Sequence, residues 1–143
     1  YFDRGPVDAT RLITAGQWST YWYNGYIYGA EIARGLDVFH LKPSDMLSEN
    51  ELAAARQVRY DVFNPQQQPK VTWPNNAVVA KAYLDQLTRE QAIDASRASA
   101  LKTALDSNNR AQLATLATEL EQAAAKATGR TADRMKALAQ AIR

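Results

Sequence analysis

The chain has 143 residues, 46% hydrophobic and 22% charged, a composition that excludes wholesale disorder. Its formal net charge of +2 is too small to point to nucleic acid or an anionic membrane surface. It has no cysteine, which excludes disulfides and thiolate chemistry, and no apolar run reaches the roughly 18 to 20 residues that span a bilayer.

In chain order, the first predicted elements are strands. Asn24-Gly25 suits a two-residue type I′ turn, whose central positions both need positive φ. Trp18–Tyr23 and Tyr26–Glu31 flank it as strands. A second turn at Arg34-Gly35 leads into a third strand, Leu36–Leu41. There Leu36, Val38 and His40 face one way and Asp37, Phe39 and Leu41 the other. Lys42-Pro43 ends it, because proline cannot donate to a ladder. Three strands with this many aromatics bury too little surface to stand alone, so they are expected to pack against helices or against further sheet.

Residues 44–75 read as a connector. Ser44 or Ser48 can cap a helix to about Tyr60, and Ser48-Glu49-Asn50-Glu51 fits a capping box; the helix is expected to bury Leu52, Ala55, and Val58 or the aliphatic stem of Arg59. Phe63–Pro69 reads as an extended polar linker, with Trp73 as an anchor after it. Beyond Asn75 the composition changes: Tyr83 is the last aromatic, Gly129 the only glycine or proline, and alanine dominates. That shift favours helix. Four helices are expected. The first covers about 76–87, with Ala80, Tyr83, Leu84 and Leu87 in one stripe. The second follows an Asp94 cap and buries Ala98, Leu101 and Leu105. The third runs from Asn108 to Thr128, with Leu113, Leu116, Ala117, Leu120 and Ala124 at helical spacing. Gly129 is expected as its left-handed stop. The fourth is capped by Thr131 and buries Met135, Leu138, Ala139 and Ile142. The fold class is therefore α+β: a three-stranded antiparallel meander followed by a small, mainly helical C-terminal domain.

Residues 24–41 resemble the repeat core of LVIVD-repeat β-propeller proteins: Tyr26-Ile27-Tyr28 and Gly35-Leu36-Asp37-Val38 occupy its strand positions. Trp18–Gly25 is similar to the final blade of secreted bacterial members, and Tyr1–Gly5 to the end of the preceding blade's outer strand. The Ala-rich end resembles FIMAH-like helical modules of extracellular bacterial proteins. The resemblance implies a division into 1–43 (partial last blade), 44–75 (helix and linker) and 76–143 (helical module). It also implies blades upstream in a longer precursor and an extracytoplasmic location: periplasmic, cell-surface or secreted. It transfers no catalytic residue.

His40, the only histidine, has no second ligand near it in sequence and reads as structural. Glu31 and Asp37 lie across strands and could hold a cation, against the simpler reading that Glu31 pairs with Arg34 and Asp37 serves the turn. There is no phosphate loop, nucleophile elbow or zinc-helix motif, and no cofactor or metal is expected. The candidate site is the aromatic set Trp18, Tyr21, Trp22, Tyr23, Tyr26 and Tyr28, whose rings combine contact area with polar tips; packing between blades is the competing role. The expected function is a non-enzymatic interaction or structural module of a cell-envelope propeller. Its expected partners are its own upstream blades and another envelope protein, without nucleic acid and without a membrane span. The alternatives are one wall of a propeller enzyme's active site and a carbohydrate-binding surface.

Overall fold

A computed structural model describes residues 2–143. The architecture is α+β, a three-stranded antiparallel sheet followed by five helices. The chain forms two compact units: residues through Lys42 together with Arg59–Lys70, and Pro43–Val58 together with Val71–Arg143. The connector is thus shared between the units.

The first unit holds β1 (Gln17–Tyr23), β2 (Tyr26–Glu31) and β3 (Gly35–Phe39), in the order β1-β2-β3. Asn24 and Gly25 have φ of 50° and 97°, the left-handed pair that a type I′ turn requires. They close the hairpin at the Tyr23–Tyr26 pair. The register continues Trp22–Ile27, Tyr21–Tyr28 and Thr20–Gly29, then slips between Gln17 and Ser19. Trp18 is the extra residue, a β-bulge. Gly35, at φ 91°, pairs with Glu31 and starts the β2–β3 ladder, which runs to Ile27–Phe39. β3 stops at Phe39, so His40 and Leu41 lie beyond it. Phe2–Gly5, expected as part of a blade strand, is not strand, and Tyr1 lies outside the described residues. Among the described residues of this unit no apolar side chain is buried.

The second unit contains the core. α1 (Glu49–Ala55) begins at Ser48 with both halves of the expected capping box: Glu51 N–H donates to Ser48 Oγ at 3.1 Å, and Ser48 N–H donates to Glu51 Oε2 at 2.7 Å. The helix ends five residues before Tyr60, and it buries Ala54 rather than Ala55, with Leu52; Val58 is buried just beyond it. The other helices are α2 (Ala77–Arg89), α3 (Ala95–Asp106), α4 (Arg110–Ala124) and α5 (Gly129–Ala141). Asn76, Asp94 and Asn109 cap α2, α3 and α4 through their side chains. Leu87, Leu101, Leu120 and Leu138, one from each helix, are the largest fully buried side chains. Around them pack small residues such as Ala80, Ala104, Ala117 and Ala139, which let the helices approach closely. Every apolar stripe residue expected for α4 and α5 is buried; Ala98 of α3 is only half-buried.

The helix ends differ from expectation. α2 and α3 close with left-handed Gln91 (φ 54°) and Asn108 (φ 49°). Ala92 N–H reaches Leu87 O and Asn109 N–H reaches Ala104 O, the six-to-one bond of a Schellman motif in each case. Gly129 is indeed left-handed, at φ 59°, but α4 has already ended at Ala124, and Gly129 opens α5 instead. Thr131 lies inside α5, and Thr128 precedes the helix without a side-chain cap bond. The stretch read as an extended linker contains one 3₁₀ turn, Pro65–Gln67, started by Asn64 Oδ1 accepting from Gln66 N–H.

Candidate functional site

Directly opposed residues of an antiparallel pair share a face. The register therefore places Tyr21, Tyr23, Tyr26 and Tyr28 on one face of the sheet, next to Leu36 and Val38. Trp22 falls on the other face beside Ile27 and Phe39, and Trp18 stands in the bulge, 80% exposed. Four of the six predicted residues are thus brought together and the two tryptophans are not.

The tyrosine face is largely open. Tyr21, Tyr26, Leu36 and Val38 are all exposed. A segment from the same unit, residues 59–63, lies against the Tyr23 end. Asn24 donates Nδ2–H to Tyr60 O at 2.9 Å and accepts Tyr60 N–H at 2.8 Å. The Tyr23 hydroxyl donates to Tyr60 O at 2.9 Å and contacts Asp61 O at 3.2 Å. The Phe63 ring lies 6.2 Å from Tyr23 in a stacked arrangement and 5.1 Å from Tyr60. Tyr21, Tyr23 and Tyr28, with Asp61, Val62 and Phe63, line a shallow, mainly apolar concavity of about 650 Å³. Sequence reasoning missed the contribution of 60–63; the aromatic Tyr60 and Phe63 within a polar stretch were its only signal. His40 stacks obliquely on Tyr26, with ring centroids 5.5 Å apart.

The opposite face is knotted by polar groups. Glu31 is buried. Its carboxylate accepts Gly16 N–H at 2.7 Å, Ala33 N–H at 3.0 Å and Arg34 N–H. These bonds, the Gly16 amide foremost, hold its pKa below the usual carboxylate value against the opposing effect of burial. Asp37 accepts from Arg4 at 2.6 Å and from Gln17 Nε2 at 2.7 Å. Arg34 sends its guanidinium to Gly5 O at 3.1 Å, while Phe2 meets Phe39 edge-on at 5.1 Å. The Gln17 side chain lies over Gly29, where a Cβ would collide with it. Glu31 and Asp37 are thus each engaged by this chain's own donors, and their arrangement is that of a structural tie. Among the described residues no group of three or more His, Cys, Asp or Glu could hold a metal ion.

In the second unit, Glu51 is the buried acid. Arg89 meets it with two parallel hydrogen bonds of 2.7 and 2.8 Å. Arg89 foremost, then Ser48 N–H, hold the Glu51 carboxyl down at about 2, against the cost of burial. Glu51 lines a small pocket of about 160 Å³ together with Trp73, Tyr83, Ala54 and Val79. Trp73 is thereby anchored on the helical unit, though still 40% exposed. Both Glu51 oxygens are committed to Arg89, so this pocket presents no free carboxylate. Among the described residues no helix is long and apolar enough to cross a membrane. No protein-family model, curated protein or solved structure matches the chain significantly.

Proposed function

We propose that this chain is the C-terminal part of a β-propeller protein of the cell envelope, with the meander as its last blade and the helices as an interaction or structural module. One observation carries the reading: the sheet unit buries no apolar side chain among its described residues, while Tyr21, Tyr26, Leu36 and Val38 stand exposed on one face. A large exposed apolar patch is a surface built for a partner. For a blade, that partner is the neighbouring blade of the same precursor. The helical unit has its own core, which suits a module that docks another envelope component. The test is the intact mass and N-terminal sequence of the protein recovered from its native source. The proposal expects a mass well above the 15.9 kDa of this chain, with further strand repeats before Tyr1. A native mass of 15.9 kDa starting at Tyr1 overturns it.

The concavity at Tyr21, Tyr23 and Tyr28 favours a second reading, an aromatic carbohydrate-binding surface, since tyrosine rings offer a flat apolar face with a polar tip. Glycan-array binding by the full chain that disappears in Tyr21→Ala, with the sheet intact, supports it; no glycan binding by the unaltered chain ends it.

A further inference from the structure

The geometry points to Asn24 as a self-modification site: its side-chain amide locks the 59–63 segment onto the hairpin, and deamidation at Asn24-Gly25 releases that lock irreversibly. The amide is the one group on the turn that both donates to and accepts from the Tyr60 backbone, and Asn24 is only half-buried. Among the described residues of the sheet unit no apolar side chain is buried to hold the segment. Its attachment among the described residues includes the Asn24 pair, the Tyr23 hydroxyl and the Phe63 ring contacts. The residue after Asn24 is glycine, whose α-carbon carries no side chain to hinder attack by its backbone nitrogen on the neighbouring amide.

The chemistry needs only water. The Gly25 nitrogen attacks Asn24 Cγ, and a C–N bond forms to a five-membered imide. The Cγ–Nδ2 bond breaks, and Nδ2 leaves as ammonia with the proton given up by the glycine amide. Water then adds to one imide carbonyl and opens the ring to aspartate or isoaspartate. Overall one water is consumed and one ammonia released. The aspartate still accepts Tyr60 N–H, but it cannot donate to Tyr60 O and places negative charge against that carbonyl. Isoaspartate also lengthens the turn. While the lock is closed, both ends of the amide are tied to Tyr60, and these bonds must be given up as Cγ is attacked and Nδ2 leaves. Locking and modification therefore oppose each other, and the modified turn does not close again.

Limited trypsin digestion of the full chain tests this, because the exposed Arg59 places a cleavable bond at the edge of the locked segment. Asn24→Asp and Asn24→Gly are compared with the unaltered chain; Gly-Gly remains compatible with the I′ turn. Cleavage after Arg59 is expected to rise roughly tenfold in Asn24→Gly, the size expected from losing two hydrogen bonds, and about fivefold in Asn24→Asp, which keeps the bond from Tyr60 N–H, while cleavage after Arg34 in the second turn stays unchanged. The unaltered chain is then aged at mildly alkaline pH. The peptide containing Asn24 should gain the mass difference between amide and acid, and the aged fraction should share the faster Arg59 cleavage. Tyr23→Phe, which removes a second tie to Tyr60, should speed that ageing. Unchanged Arg59 cleavage in Asn24→Asp, a parallel rise at Arg34 in both variants, or an aged, deamidated chain as resistant as fresh material each overturns the proposal.

Discussion

Replacing Glu51 by glutamine keeps the shape of the site and removes its charge. The Glu51 side chain is 8% exposed and Arg89 31% exposed, with Nη2–Oε1 at 2.7 Å. The folded carboxyl lies at about 2 against an ordinary value of 4.5. That difference corresponds to about 3 kcal/mol of stability. The sign follows from the direction of the shift. A carboxyl with a depressed folded pKa contributes fully above its unfolded value and loses the contribution as pH falls towards its folded one. Glu51→Gln should therefore cost about 2–3 kcal/mol near pH 7, and less than half of that near pH 3, where the natural glutamate itself begins to take up a proton. Urea unfolding followed by far-UV circular dichroism reads the helices that Glu51 supports. All other acids titrate alike in both proteins, so the pH dependence of the difference isolates this group. In a double-mutant cycle with Arg89→Met, the two substitutions should cost less together than the sum of their separate effects. A cost below about 0.5 kcal/mol near pH 7, or one unchanged near pH 3, refutes the reasoning.

Other outcomes follow from the helical core. Leu120→Ala removes a fully buried side chain between close-packed helices that collapse poorly, and should lower stability by about 2–5 kcal/mol in the same urea assay. Gln91→Gly relieves a left-handed non-glycine residue at the end of α2 and should raise stability by about 1 kcal/mol; a loss would mean that the Gln91 side chain makes a contact worth more than the strain.

Local signals with short range were legible in the sequence. Asn24-Gly25 specified its turn because few residue pairs tolerate two positive φ values, and β2 matches its expected bounds. The Ser48–Glu51 box and the Asp94 cap depend only on residues three apart, and both form. The stripe through Leu113, Leu116, Ala117, Leu120 and Ala124 needed only helical period, and all five are buried. What escaped depends on distant partners. Gln91 and Asn108 take the left-handed stops that glycine usually provides, because core packing of Leu87 and Leu105 on each side decides where the helix must turn. Gly129 sits past the end of α4 because the repeat of buried residues stops at Ala124. On the candidate site, the six aromatics do not form one set: the register separates Trp22 from Tyr21 and Tyr23 because successive strand residues face opposite ways. The bulge at Trp18 and the docking of Tyr60 on Asn24, 36 residues away, leave no local mark.

The central claim is that, among the described residues, the sheet unit buries no apolar side chain while the helices possess a core. Native-state amide hydrogen exchange on the full chain measures this most directly. The account predicts that Trp22, Ile27 and Tyr28 exchange orders of magnitude faster than Leu101, Leu120 and Leu138. Strand amides that exchange only at the rate of global unfolding, together with the helical core, would contradict it.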